Sequence, residues 1–159
     1  MGIPRNEGES RGKWVGQSTN EGEALPGQLL RFAVMTEREP EIVLISERIG
    51  MSQLAQLVDR FFTDMVKYVV DLERGIAAVG GELHADAEQL LLEDGSRQED
   101  LWGANYYPGR GPAECIEFTA LINIRPSRGN RSMEIEDSDV CDRVRDLTYR
   151  LIGRGEVLP

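Results

Sequence analysis

Three short stretches of this chain hold the residue types from which a chemical site is made. In the first, His84 (the single histidine) opens an H-x-D-x-E run with Asp86 and Glu88. An imidazole beside carboxylates can act as a general base or help to hold a divalent ion, so His84, Asp86 and Glu88 are the catalytic candidates. On a helix Glu88 shares the face of His84, and Asp86 does not. The competing reading puts His84 at a helix N-terminus, with Asp86 and Glu88 facing its exposed N–H groups. Protein metal sites usually show two or more His or Cys ligands, so the spacing leaves metal and cofactor open.

The second stretch, 101–108, places Trp102 and Tyr106 on one face of a strand and Asn105 and Tyr107 on the other. Aromatics beside an amide stack a sugar or a base; they also build cores and dimer seams. In the third, 122–137, Arg125, Arg128 and Arg131 recur every three residues, with Asn123 and Asn130 beside them. Guanidinium forks suit a phosphate or a carboxylate. The alternative is that they pair with the nearby Glu117, Glu134, Glu136 and Asp137. Trp102, Asn105, Asn123, Arg125, Asn130 and Arg131 are thus the ligand-binding candidates. Neither Cys115 nor Cys141 has a base close in sequence, and no G-x-S-x-G or phosphate-loop pattern occurs.

The elements that must position these residues follow from hydrophobic period. Residues 41–49 read as a strand entered after Pro40. A helix follows, capped by Ser52, with Leu54, Leu57, Val58, Phe61, Phe62 and Met65 at three-and-four spacing. Strands 66–72 and 76–79 form a hairpin about Glu73-Arg74-Gly75. A second helix covers about 85–92, with Asp86 and Gln89 at capping-box spacing. Strand 101–107 ends at Pro108. Residues 115–125 alternate apolar and polar over ten positions, the clearest strand signal in the chain. A last helix runs from about 137 to 153 with Val140, Val144, Leu147 and Leu151 as its stripe. The expected architecture is α+β in the order β-α-β-β-α-β-β-α, with an antiparallel or mixed sheet and helices packed on one face.

Composition bounds the rest. With 159 residues, 40% apolar and 29% charged, the chain suits one ordinary domain. Residues 1–40, rich in Gly, Ser, Asn and Pro, are expected to be a disordered or upstream extension. Residues 41–153 are expected to be the domain, and 154–159 a tail. A net charge of −10 disfavours nucleic acid and anionic membranes as partners. No apolar run reaches the ~18 residues of a spanning helix. Two cysteines and a start without a secretory pattern point to the cytoplasm.

The wording GGELHADAEQLLLEDGSRQEDLWGANYYP, followed by IEFTALINIRPSRGNRSMEIED, resembles a bacterial and archaeal family of small proteins, domain of unknown function 5674. The resemblance covers about 41–153. It implies an independent one-domain protein and assigns no activity, cofactor or partner. Two functional readings stand. In the first, the chain is a binding module for a small anionic ligand or for a protein, with a homodimer as one outcome. In the second, it is a hydrolase in which His84 is the base and Asp86 or Glu88 orients it or holds a metal. Both require segments 80–88, 101–108 and 123–131 to meet at one sheet edge.

Overall fold

The structure, a computed structural model, describes residues 40–159. The expectation for the N-terminal extension therefore lies outside the described residues, Pro40 apart. Eight regular elements follow in the expected order: β1 (Ile42–Ile45), α1 (Met51–Phe61), β2 (Val66–Asp71), β3 (Ile76–Gly80), α2 (His84–Glu93), β4 (Leu101–Tyr106), β5 (Ile116–Glu117) and α3 (Ser138–Leu151). The five strands form one sheet in the order β1-β3-β2-β4-β5, and every pairing is antiparallel. The fold is α+β.

Local chemistry sets the turns and caps. Asp71 Oδ1 accepts the backbone N–H groups of Glu73 and Arg74, both at 2.9 Å, and so closes the β2–β3 hairpin. Gly75, at φ +67°, completes that turn in a conformation few L-residues adopt. The Asp137 side chain caps α3 by accepting the Asp139 N–H at 2.8 Å. The other two helices depart from expectation. Gly50 rather than Ser52 stands at the N-cap of α1, Leu83 stands at that of α2, and neither makes a side-chain cap bond.

The helices lie on both faces of the sheet, which corrects the one-face expectation. Leu54, Leu57 and Val58 of α1 and Val144, Leu147 and Leu151 of α3 pack with Tyr68, Val70, Val79, Trp102 and Tyr106. Ala87 and Leu91 of α2 pack with Val69, Ala78 and Leu101 on the opposite face. The reason lies in the central strands. β4 is buried at all six positions and β2 at five of six, so each needs a layer above and below. Each large apolar side chain so buried contributes roughly 1.5–3 kcal/mol.

A second correction concerns 115–125. Only Ile116 and Glu117 pair with β4, opposite Tyr106 and Asn105. Thr119 then bridges to Glu134, and Leu121–Asn123 and Pro126–Arg128 form single 3₁₀ turns. A strand ladder needs a partner edge, and β4 offers this stretch two residues. Further along β4, a Cβ on Gly103 would lie 2.6 Å from Ala120 Cβ, so the chain crosses there in close contact.

Residues beyond 153 are bonded into the body rather than trailing from it. Gly109 N–H donates to Glu156 O and Gly111 N–H to Gly155 O, both at 3.0 Å. Gly155 N–H donates to the Tyr106 hydroxyl at 2.8 Å, and Arg48 Nη2 reaches Glu156 Oε1 at 2.9 Å.

Candidate functional site

The residues singled out above fall into separate groups. His84 begins α2, and its Nε2 lies 3.0 Å from the Ala104 carbonyl on β4. A carbonyl only accepts, so Nε2 carries the proton and Nδ1 keeps its lone pair in the neutral ring. The β2–β4 register sets Lys67 beside Asn105, and the β4–β5 register sets Asn105 beside Glu117. Asn105 Nδ2 donates to Glu117 Oε2 at 2.8 Å, and the Tyr107 hydroxyl donates to the same oxygen at 2.9 Å. Asn105 Oδ1 is buried and has no partner. Lys67 Nζ donates to the Glu82 carbonyl at 2.8 Å and lies 4.7 Å from the centre of the Phe62 ring. Burial pushes the His84 pKa below its ordinary value, with Lys67 adding to the effect; the Ala104 carbonyl, Asn105 and Glu117 oppose it.

Asp86 and Glu88 do not join His84. Asp86 is exposed in the first turn of α2. Glu88 turns to Arg125, with Nη2 to Oε1 at 3.5 Å, and both side chains are nearly sealed, at 11% and 13% exposure. Gln98 Nε2 lies 3.4 Å from the same Glu88 oxygen. The Arg125 guanidinium also lies 5.3 Å from the Trp102 ring centre. Its Nη1 and Nη2 are both buried without a hydrogen-bond acceptor. Burial works against the Arg125 charge and Arg128 adds to that, while Glu88 supports it. Beside this group is a hollow of about 330 Å³, lined by Glu88, Gln98, Glu99, Arg125, Ser127 and Arg128 among others. Arg128 stands at its rim, paired with Glu99 at 2.8 Å.

The two asparagines of the arginine stretch serve as scaffold. Asn123 is fully buried; its Oδ1 accepts the Gly103 N–H, and its Nδ2 donates to the carbonyls of Gly103 and Met133. The amide thus occupies the edge of β4 that β5 leaves open. Asn130 Nδ2 donates to the carbonyls of Asn123, Ser132 and Glu134, and Oδ1 accepts the Glu136 N–H. The Arg131 side chain is exposed, while its backbone N–H and that of Ser132 donate to Glu136 Oε1. Those bonds hold the Glu136 carboxyl below the usual carboxylate range.

Of the nine candidates, the structure therefore brings together two pairs on the α2 side of the sheet: His84 with Asn105, and Glu88 with Arg125. The Trp102 ring belongs to the opposite face, that of α1 and α3, and meets the Arg125 guanidinium at 5.3 Å. Sequence reasoning missed Lys67, Glu117 and Tyr107 around His84, and Gln98 and Glu99 around Arg125. Only the strand register could have found the first three. Among the described residues, no group of three or more His, Cys, Asp or Glu is placed to hold a metal ion, and no helix is long and apolar enough to cross a membrane.

The arrangement defines a small α+β domain with an antiparallel five-stranded sheet and a half-closed arginine–carboxylate hollow at one edge. The family described as protein of unknown function DUF5674 matches residues 43–151, so the chain belongs to that family. No curated protein and no solved structure matches it.

Proposed function

We propose that this domain is a small-ligand-binding module whose hollow beside Arg125 takes an oxyanion, a carboxylate or a phosphate. One observation carries the reading: both terminal nitrogens of the Arg125 guanidinium are buried without an acceptor, next to an open hollow of about 330 Å³. Buried donors normally find acceptors, and an unpaired one costs about 1–3 kcal/mol. A guanidinium presents parallel N–H groups that match two oxygens of a carboxylate or phosphate. Ser127 and Arg128 supply further donors at the rim. The hydrolase reading has less support, because Glu88 is engaged with Arg125 and Asp86 lies exposed away from the imidazole.

The test is a thermal-shift screen of phosphorylated metabolites and small carboxylic acids on the wild type, Arg125→Gln and Arg128→Gln. A ligand at 100 times its Kd adds about 2.7 kcal/mol. That amounts to several degrees in Tm for a domain of this size. The shift should vanish in Arg125→Gln and shrink in Arg128→Gln. A wild type that no compound stabilises, with the amide resonances of 122–128 unmoved, refutes the proposal.

A further inference from the structure

The Glu88 carboxylate has the charge of the ligand proposed above but not its fit. Its oxygen is 3.5 Å from Arg125 Nη2, yet no hydrogen bond forms between them, and Nη1 has no acceptor either. Ordinary charge-assisted N–H···O bonds are about 2.7–2.9 Å. Glu88 therefore neutralises the guanidinium while leaving its donors unsatisfied. The terminal nitrogens are also sealed from solvent, so an incoming oxyanion cannot reach them unless a neighbour yields. Glu88 is the neighbour placed to do so. It lines the hollow, and its other polar contact is the long one from the exposed Gln98. The second acid at the hollow, Glu99, holds Arg128 at the rim with a good 2.8 Å contact. Glu99 is shared with Arg97 as well, so Glu88 is the carboxylate that faces Arg125 alone.

We infer that Glu88 is a built-in stand-in for the ligand: an oxyanion binds by displacing Glu88 from Arg125, and the strength of binding is set by this competition. The inference rests on the oxyanion reading of the hollow. It departs from the usual view of a site carboxylate, because neutralising it should improve binding. When the ligand supplies two short bonds to Arg125, the released carboxylate turns to the solvent-open hollow, where hydration replaces the lost charge contact.

The experiment is an NMR titration of the ¹⁵N-labelled full chain with inorganic phosphate and, separately, with acetate. The proteins compared are the wild type, Glu88→Gln, Asp86→Asn, Arg125→Gln and the double variant Glu88→Gln/Arg125→Gln. Glu88→Gln should bind about tenfold tighter than wild type, the gain from one charged competitor removed. Asp86→Asn, which neutralises an exposed acid on the same helix, should change affinity by no more than about twofold. The double variant should bind neither anion. If removing Glu88 leaves Arg125 too costly to bury for folding, Glu88→Asp serves instead, since its shorter carboxylate is drawn back from the guanidinium; it too should bind more tightly than wild type. Equal affinity in wild type and Glu88→Gln, both lost with Arg125→Gln, overturns the stand-in and leaves the hollow as the site. A gain that persists in the double variant, or that Asp86→Asn reproduces, also overturns it. No binding in wild type or in Glu88→Gln overturns both the stand-in and the oxyanion reading.

Discussion

Replacing Asn123 by alanine separates the two roles open to that residue, ligand contact and scaffold. In the structure its amide makes three hydrogen bonds: it accepts the Gly103 N–H at 2.9 Å and donates to the Gly103 carbonyl at 2.9 Å and the Met133 carbonyl at 3.1 Å. Asn123 is fully buried, and it does not line the Arg125 hollow. Alanine would leave the N–H and the carbonyl of Gly103 without partners, while the Met133 carbonyl keeps the Ala120 N–H at 3.1 Å. At about 1–3 kcal/mol for each of the two, less what a water entering the vacated space recovers, the loss is roughly 2–4 kcal/mol. A domain of this size has only about 5–15 kcal/mol in total. Urea unfolding followed by tryptophan fluorescence should show the midpoint falling in proportion, and hydrogen exchange should show the Gly103 amide losing protection. Under conditions where the variant is folded, oxyanion affinity should stay within about twofold of wild type. A stability loss below about 1 kcal/mol would refute the claim that this side chain completes the β4 edge.

Three further outcomes follow from other parts of the structure. Gly155→Ala places a methyl 2.6 Å from the backbone N and O of Gly111 at φ +77°, and should cost about 2–4 kcal/mol in chemical denaturation. The His84 pKa is lowered in the native state, so the unfolded chain takes up the proton first; stability is full above the unfolded value of about 6.5 and declines as pH falls through the native pKa. An NMR titration of the ring with a midpoint above 6.5 would contradict this. Glu156 is drawn down to about 2, first by its own backbone N–H and further by the Arg154 N–H and Arg48; its contribution is present above the ordinary carboxylate pKa and is lost as pH falls toward 2. Glu156→Gln should therefore flatten the acid side of the stability profile between about pH 4.5 and 2, which acid titration of the unfolding midpoint would reveal.

Much of the architecture was legible because it rests on local chemistry. The three-and-four spacing of Leu54, Leu57 and Val58, and of Val144, Leu147 and Leu151, marks the buried stripes of α1 and α3 wherever those helices pack. The turn residues 73–75 marked the β2–β3 hairpin, and acidic residues marked the start of α3. The capping guesses at Ser52 and Asp86 failed. A polar residue near a helix start can cap it only if the chain enters one residue away, and entry is set by packing.

What the chain alone determined, then, is the succession of elements and the faces they must bury, since each depends on residues a few positions apart. Tertiary structure decided the rest. The alternation over 115–125 is genuine, but whether it becomes a strand depended on how much of β4 remained unpaired, and the Asn123 amide took what β5 did not. The same applies to chemistry. His84, Asp86 and Glu88 are neighbours in sequence, yet the imidazole meets Ala104, Asp86 stays exposed and the Glu88 carboxylate meets Arg125, residues 20 and 37 positions away in the chain. Side-chain partners across a sheet are fixed by register and by which edges stay open, and neither is encoded in the spacing of the residues that use them.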